Sequence, residues 1–267
     1  MYNLSKAEIL RMLKDQRDIF GDELFIPAEW LIKKIERPHG HKKENIISVD
    51  SVAYQTEKVK IEDTEDQVNL FDQREKWLDA RSLDELNSLI CNCTKCELHK
   101  GRNKFVFGSG NPEADILVIG EGPGAEEDKQ GLPFVGRAGQ LLTEILKAIK
   151  FEREEVYIGN IVKCRPPGNR TPSPQEMETC IPYLKKQIEL INPKLILCLG
   201  LTAAQGLLKK KESLTNLRGK VFEYGKIKVM VTYHPAALLR NPNWKRGCWE
   251  DVKLFRKLYD QILNGNA

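Results

Sequence analysis

From Leu83 onward, short apolar runs alternate with longer stretches whose apolar residues recur at helical spacing, and this alternation limits the fold more than any other feature. The apolar runs fall at 114–119, 155–159, 194–199 and 227–232. The first three are followed by helical patterns near 137–150, 174–191 and 202–210, and a last one spans about 245–263. Strands separated by helices pair in parallel, because a tight hairpin cannot join them. Their unbroken apolar character fits a sheet covered by helices on both faces. The expectation is an α/β fold with a mainly parallel sheet.

The chain divides by pattern into three parts. In segment 1–35, Ser5 to Phe20 reads as a helix with capping-box spacing between Ser5 and Glu8, and a second short helix is expected from Pro27 to Ile35. Residues 36–80 form a mostly polar linker, and residues 81–267 form the compact domain. Residues 1–80 carry 13 Lys and Arg against 17 Asp and Glu, whereas 81–267 carry 29 against 21. A basic domain behind an acidic extension points to a polyanionic partner for the domain. The longest apolar run, around Leu195 to Leu201, is too short to span a membrane, and the N-terminus lacks the apolar core of a signal peptide. A cytoplasmic protein of bacterial type, acting as a monomer away from membranes, is expected.

Within the linker, Gln67-Val68-Asn69-Leu70-Phe71 places an apolar pair in polar surroundings. The pentapeptide resembles the bacterial sliding-clamp-binding motif, in which Leu-Phe enters an apolar pocket and Gln fixes the register. On that resemblance Gln67, Leu70 and Phe71 would contact the clamp. The same residues also read as the start of a helix running through Trp77.

Seven cysteines in a cytoplasmic chain suggest metal chemistry rather than a disulfide framework. Cys93 and Cys96 have ligand spacing, and Cys164 and Cys180 flank a Pro- and Arg-rich segment. Four thiolates suit either tetrahedral zinc or a [4Fe–4S] cluster, and spacing does not choose between them. Cys91 competes with Cys93 for a ligand position. Cys198, inside an apolar strand, reads as an inert buried thiol, and Cys248 has no assigned role.

Between the run at 114–119 and the helical pattern from Arg137 lies a stretch with five glycines, two prolines and several carboxylates. Loops at the carboxyl ends of parallel strands are where open α/β sheets bind ligands. The stretch has neither the Lys-Ser/Thr of a phosphate loop nor a G-x-G-x-x-G pattern.

Four separated motifs then agree: GEGPG with PFVGRAGQLL, Asn160 in YIGNIVKCRPP, the four cysteines, and His234 in TYHPAALLRNP. Together they resemble the family 4 uracil-DNA glycosylases, over roughly residues 85–265. The resemblance implies a three-layer α/β/α sandwich with a central four-stranded parallel sheet. It also implies a structural [4Fe–4S] cluster on Cys93, Cys96, Cys164 and Cys180. The activity it implies is hydrolysis of uracil from single- or double-stranded DNA, leaving an abasic site for base excision repair. The alternative is a non-catalytic iron–sulfur DNA-binding adaptor tethered to the clamp.

Under the resemblance each motif residue takes a role. Phe134 would stack on a flipped uracil, and the Asn160 amide would accept from N3–H and donate to O4, a pattern cytosine inverts. His234 would donate to O2 as the base departs as an anion, with backbone donors from the loop of Gly120 and Gly122. Glu121 is the nearest group to orient water, and Glu127 would line the pocket near uracil C5. In the loop after His234, Leu238 or Leu239 would fill the gap left by the flipped base. Arg165, Arg170 and Arg240 would meet phosphates. Taken without the motif, Phe134 reads as core, Asn160 as a turn residue, His234 as structural and the two loop arginines as solvated. The region PPGNRTPSP lacks the His through which a related branch links covalently to DNA, so turnover is expected.

Overall fold

The computed structural model describes residues 75–265. The expected N-terminal helices, most of the linker and the peptide Gln67 to Phe71 lie outside the described residues. Six strands form one sheet: β1 (Ser109–Gly110), β2 (Ile116–Gly120), β3 (Tyr157–Asn160), β4 (Leu195–Leu199), β5 (Val221–Tyr224) and β6 (Ile227–Thr232). Their order is β1-β3-β2-β4-β6-β5. The inner four, β3-β2-β4-β6, are mutually parallel, as expected. The two edge strands are antiparallel to their neighbours and extend the four-stranded sheet that the sequence suggested.

Eight α-helices surround this sheet among the described residues: α1 (Leu83–Ile90), α2 (Ala125–Gln130), α3 (Arg137–Ala148), α4 (Pro174–Ile191), α5 (Leu201–Leu208), α6 (Leu214–Leu217), α7 (Pro235–Arg240) and α8 (Lys245–Leu263). Every residue of β2 and β4 is buried. Strand alternation divides their side chains between two cores. Leu117, Ile119, Ile196 and Cys198 meet Leu86 and Ile90 of α1, Leu184 and Ile188 of α4, and Ala203 and Leu207 of α5. Ile116, Val118, Leu195 and Leu197 meet Leu142 and Leu146 of α3, Leu238 of α7, and Val252 and Phe255 of α8. The result is three layers, helices over both faces of the sheet.

Helix ends follow local chemistry. α4 begins with a complete capping box, Ser173 accepting from the Glu176 N–H and Glu176 from the Ser173 N–H. It continues through Pro182 and stops at Asn192 in the left-handed conformation. α5 ends at Leu208, two residues before the sequence pattern suggested, because Lys209 turns left-handed at φ +56°. Register places the functional loops. Gly120 pairs with Asn160 at the carboxyl ends of β2 and β3, and Leu199 pairs with Thr232 at those of β4 and β6. Asn160 and the loops carrying Glu121 and His234 therefore lie together at the carboxyl ends of the parallel strands.

Candidate active site

Gly120, Phe134 and Asn160 converge first. A Cβ on Gly120 would stand 2.5 Å from Asn160 Oδ1 and 2.7 Å from the Phe134 ring, so only glycine allows the three to meet. Asn160 is 1% exposed, and its Oδ1 is the one buried side-chain polar atom without a hydrogen-bond partner among the described residues. Such an atom costs about 1–3 kcal/mol unless a ligand satisfies it. Gly122 lies against Val162, whose Cγ2 would be 2.7 Å from an added Cβ.

Phe134 is buried yet has φ +52°, a conformation unusual for a large side chain. Its neighbours hold it there. Arg153 Nη2 donates to the Pro133 carbonyl at 2.7 Å, and Glu127 Oε1 accepts from the Val135 and Gly136 N–H groups at 2.9 and 3.0 Å. The Phe134 carbonyl rests 1.8 Å from where a Cβ on Gly139 would be, so Gly139 makes room for it at the start of α3. Glu127 Oε2 accepts from the Gly124 N–H at 3.1 Å. Both oxygens of Glu127 are thus engaged by backbone donors that close the glycine-rich loop.

The Phe134 and His234 rings lie 5.5 Å apart, tilted by 33°. His234 caps α7, its Nδ1 accepting from the Ala236 N–H at 3.1 Å. That bond puts the ring proton on Nε2. Burial pulls the imidazole down to about 4, with the charge of Arg240 acting in the same direction, so the ring is neutral near pH 7. Gly200, at φ +87°, leaves space for His234, whose Cβ would be 3.1 Å from an added Cβ. Burial raises the Glu121 carboxyl above its ordinary range, while the Thr202 hydroxyl and Arg240 pull it back.

The residues expected to meet DNA separate in the structure. Leu238 is buried in the core, whereas Leu239, its neighbour on α7, is exposed. Arg240 ends that helix on the exposed side. Arg165 donates from Nε to Asn169 Oδ1 at 2.8 Å. Arg170 forms a two-pronged pair with Glu176 at 2.8 and 2.7 Å while its side chain stays 48% exposed.

The four expected cysteine ligands come together from α4 and two segments outside the helices. Cys164 and Cys180 belong to the core, and Cys93 and Cys96 pack against it. Each sulfur has a donor. Tyr183 OH meets Cys93 Sγ at 3.2 Å, and Arg102 Nη1 meets Cys164 Sγ at 3.2 Å. The Leu98 and Lys163 N–H groups serve Cys96 and Cys180. Donors around thiolates are the usual outer surroundings of a metal–sulfur site. Cys91 instead turns its thiol to the Ser88 carbonyl at 3.6 Å. Cys198 is fully buried in β4, as expected, and Cys248 is buried in α8. No group of three His, Cys, Asp or Glu among the described residues is close enough to hold a single metal ion.

A model of the uracil DNA glycosylase superfamily matches residues 107–258. The Type-4 uracil-DNA glycosylase of Archaeoglobus fulgidus is 45% identical over 185 residues, covering 66% of this chain and 93% of that protein. The Type-4 enzyme of Thermotoga maritima is 50% identical over 161 residues, covering 60% of this chain and 84% of that protein. A Type-5 uracil-DNA glycosylase of Pyrobaculum aerophilum is more distant, 30% identical over 48% of this chain and 64% of its own length. The chain belongs to the type-4 uracil-DNA glycosylases.

In this type-4 glycosylase several residues that bear on the site had no role assigned from the sequence. Arg153, Arg102, Tyr183, Lys163 and Thr202 act through contacts 20 or more positions away along the chain or across strands. Lys163 alone carries a signal in the sequence, as a cation directly after the apolar pair Ile161-Val162 in the YIGNIVKCRPP motif.

Proposed function

We propose that this chain is a DNA repair enzyme that flips uracil out of DNA and hydrolyses its N-glycosidic bond. The observation that carries the reading is the unpartnered Oδ1 of Asn160 beside Phe134, whose ring in turn meets a neutral His234. Uracil N3–H satisfies that oxygen, and the amide nitrogen donates to O4. Cytosine presents an acceptor at N3 and a donor at N4, so it would leave both groups opposed. Phe134 supplies the stacking face. His234 keeps its proton on Nε2 and offers it as a hydrogen bond to O2, where negative charge grows as the bond to the sugar breaks. Glu121, as a carboxylate, orients the water that attacks the cation-like sugar. Glu127 holds the loop closed around the uracil C5 edge through its three backbone bonds. Leu239 is the wedge that replaces the flipped base, Leu238 its buried anchor, and Arg165, Arg170 and Arg240 face phosphate.

The donor set around Cys93, Cys96, Cys164 and Cys180 fits a [4Fe–4S] cluster, which supplies a covalent tie between the segment ahead of β1 and the Pro-rich loop after β3. The choice of cluster over zinc rests on the resemblance to the iron–sulfur family. The enzyme works as a monomer in the cytoplasm, and Gln67, Leu70 and Phe71 tether it to the sliding clamp. Among the described residues no helix is long and apolar enough to cross a membrane. The relatives lend no support to a non-catalytic adaptor. Incubation with a uracil-containing oligonucleotide followed by alkali is expected to cut the strand at uracil; an intact strand with iron-replete protein would refute the reading.

A further inference from the structure

Lys163 is among the largest fully buried side chains of the described residues, at 0% exposure. Its ammonium donates to the Asn160 backbone carbonyl at 3.0 Å and to Gln187 Oε1 at 2.5 Å. Among the described residues no carboxylate forms an ion pair with it. A buried cation held only by neutral acceptors is expensive, and a neutral amide could bridge the same two oxygens at less cost. The sulfur facing it is that of Cys180, which also receives the Lys163 backbone N–H and would meet the ammonium as a thiolate only when it is a cluster ligand. Lys163 is followed directly in the chain by Cys164. Gln187 and Cys180 sit on α4, and Gln187 is itself fixed by donating to the Phe107 carbonyl at 3.0 Å.

We propose that Lys163 is the buried counter-cation of the iron–sulfur cluster and the positioning residue through which the cluster side of the molecule fixes Asn160. The inference rests on the cluster assignment made above. Four thiolates around an iron–sulfur core carry net negative charge, which compensates an ammonium that no carboxylate neutralises. The same ammonium grips the carbonyl of the residue whose side chain reads uracil, at the point where β3 ends. Lys163 touches neither uracil nor the reacting atoms. It sets where the Asn160 backbone stands.

The test compares anaerobically purified wild-type protein with Lys163→Met and Lys163→Gln, reading iron content, cluster reduction potential by film voltammetry, and KM and kcat on a uracil oligonucleotide. Removing the positive charge is expected to move the potential to more negative values in both variants, since charge and hydrogen bonding near the sulfurs tune it. Lys163→Met is expected to lower kcat/KM about tenfold, the worth of one misplaced hydrogen bond. Lys163→Gln, which keeps a donor for the Asn160 carbonyl, recovers part of that loss. Folded variants that lose their iron would also support the charge role. Iron-replete variants with an unmoved potential would overturn it, and unchanged kcat/KM in Lys163→Met would overturn the positioning role. Wild-type protein without iron would instead sink the cluster assignment itself.

Discussion

Asn160 shows how much one residue can depend on another that has no side chain. Gly120 is its register partner on β2, and the missing Cβ is what lets the amide and Phe134 share the space. Asn160→Ala removes both the acceptor and the donor for uracil, and kcat/KM on a uracil oligonucleotide is expected to fall by about 10²–10³-fold. The thermal stability of that variant should not fall, because the oxygen removed has no protein partner to lose and its unsatisfied burial is itself costly. The pH profile separates the two ionisable residues of the site. In the proposed role Glu121 acts as a carboxylate whose titration burial raises, so activity is expected to fall as pH drops through that raised value. His234 takes a proton only near about 4. Replacing Glu121 with Gln should therefore shift the remaining acid limb down towards about 4, and an NMR titration should find the imidazole neutral well below the usual histidine range near 6.5.

Among the elements, α7 and the loop before α3 divide labour between adjacent residues. Leu238→Ala empties a fully packed position and is expected to cost about 2–5 kcal/mol of stability in denaturant unfolding. Leu239→Ala leaves stability unchanged and lowers excision from duplex DNA more than from single strands, since only the duplex needs a wedge. Arg153→Ala frees the Pro133 carbonyl and lets Phe134 relax from its φ of +52°. The expected signature is a rise in KM larger than the fall in kcat, measured by steady-state kinetics. The inner strands were legible because burial on both faces leaves an unbroken apolar run. The edge strands were not, since β1 has two residues and β5 alternates exposed and half-buried positions. α2 hid inside a glycine-rich stretch that reads as loop, and α7 behind a proline that serves as its first turn.

Across the whole molecule, the cysteine site joins parts of the chain far apart in sequence: Cys93 and Cys96, Cys164 after β3, and Cys180 on α4. Trp77 packs edge-on against Tyr183 at 4.9 Å, and Tyr183 donates to Cys93, so the residues leading into α1 rest on the same site. Cys180→Ser is expected to lower both iron content and melting temperature, while far-UV circular dichroism retains the signature of the α/β sheet. Equal stability with and without iron would mean that the site does not brace the fold.

The sequence by itself determined the layered α/β plan, the strand-end position of Asn160 and His234, and the four cysteines, because periodicity and motif spacing are properties of the chain. The tertiary structure alone decided how each polar group is used. Glu127, expected to line the pocket, has both oxygens committed to backbone N–H groups, and Arg170 is paired with Glu176. Asn160 Oδ1 is left without a partner, and Nδ1 of His234 is bonded so that Nε2 carries the proton. The reason is physical: a hydrogen bond is made by whichever group arrives within about 3 Å, and sequence spacing does not say which group that is.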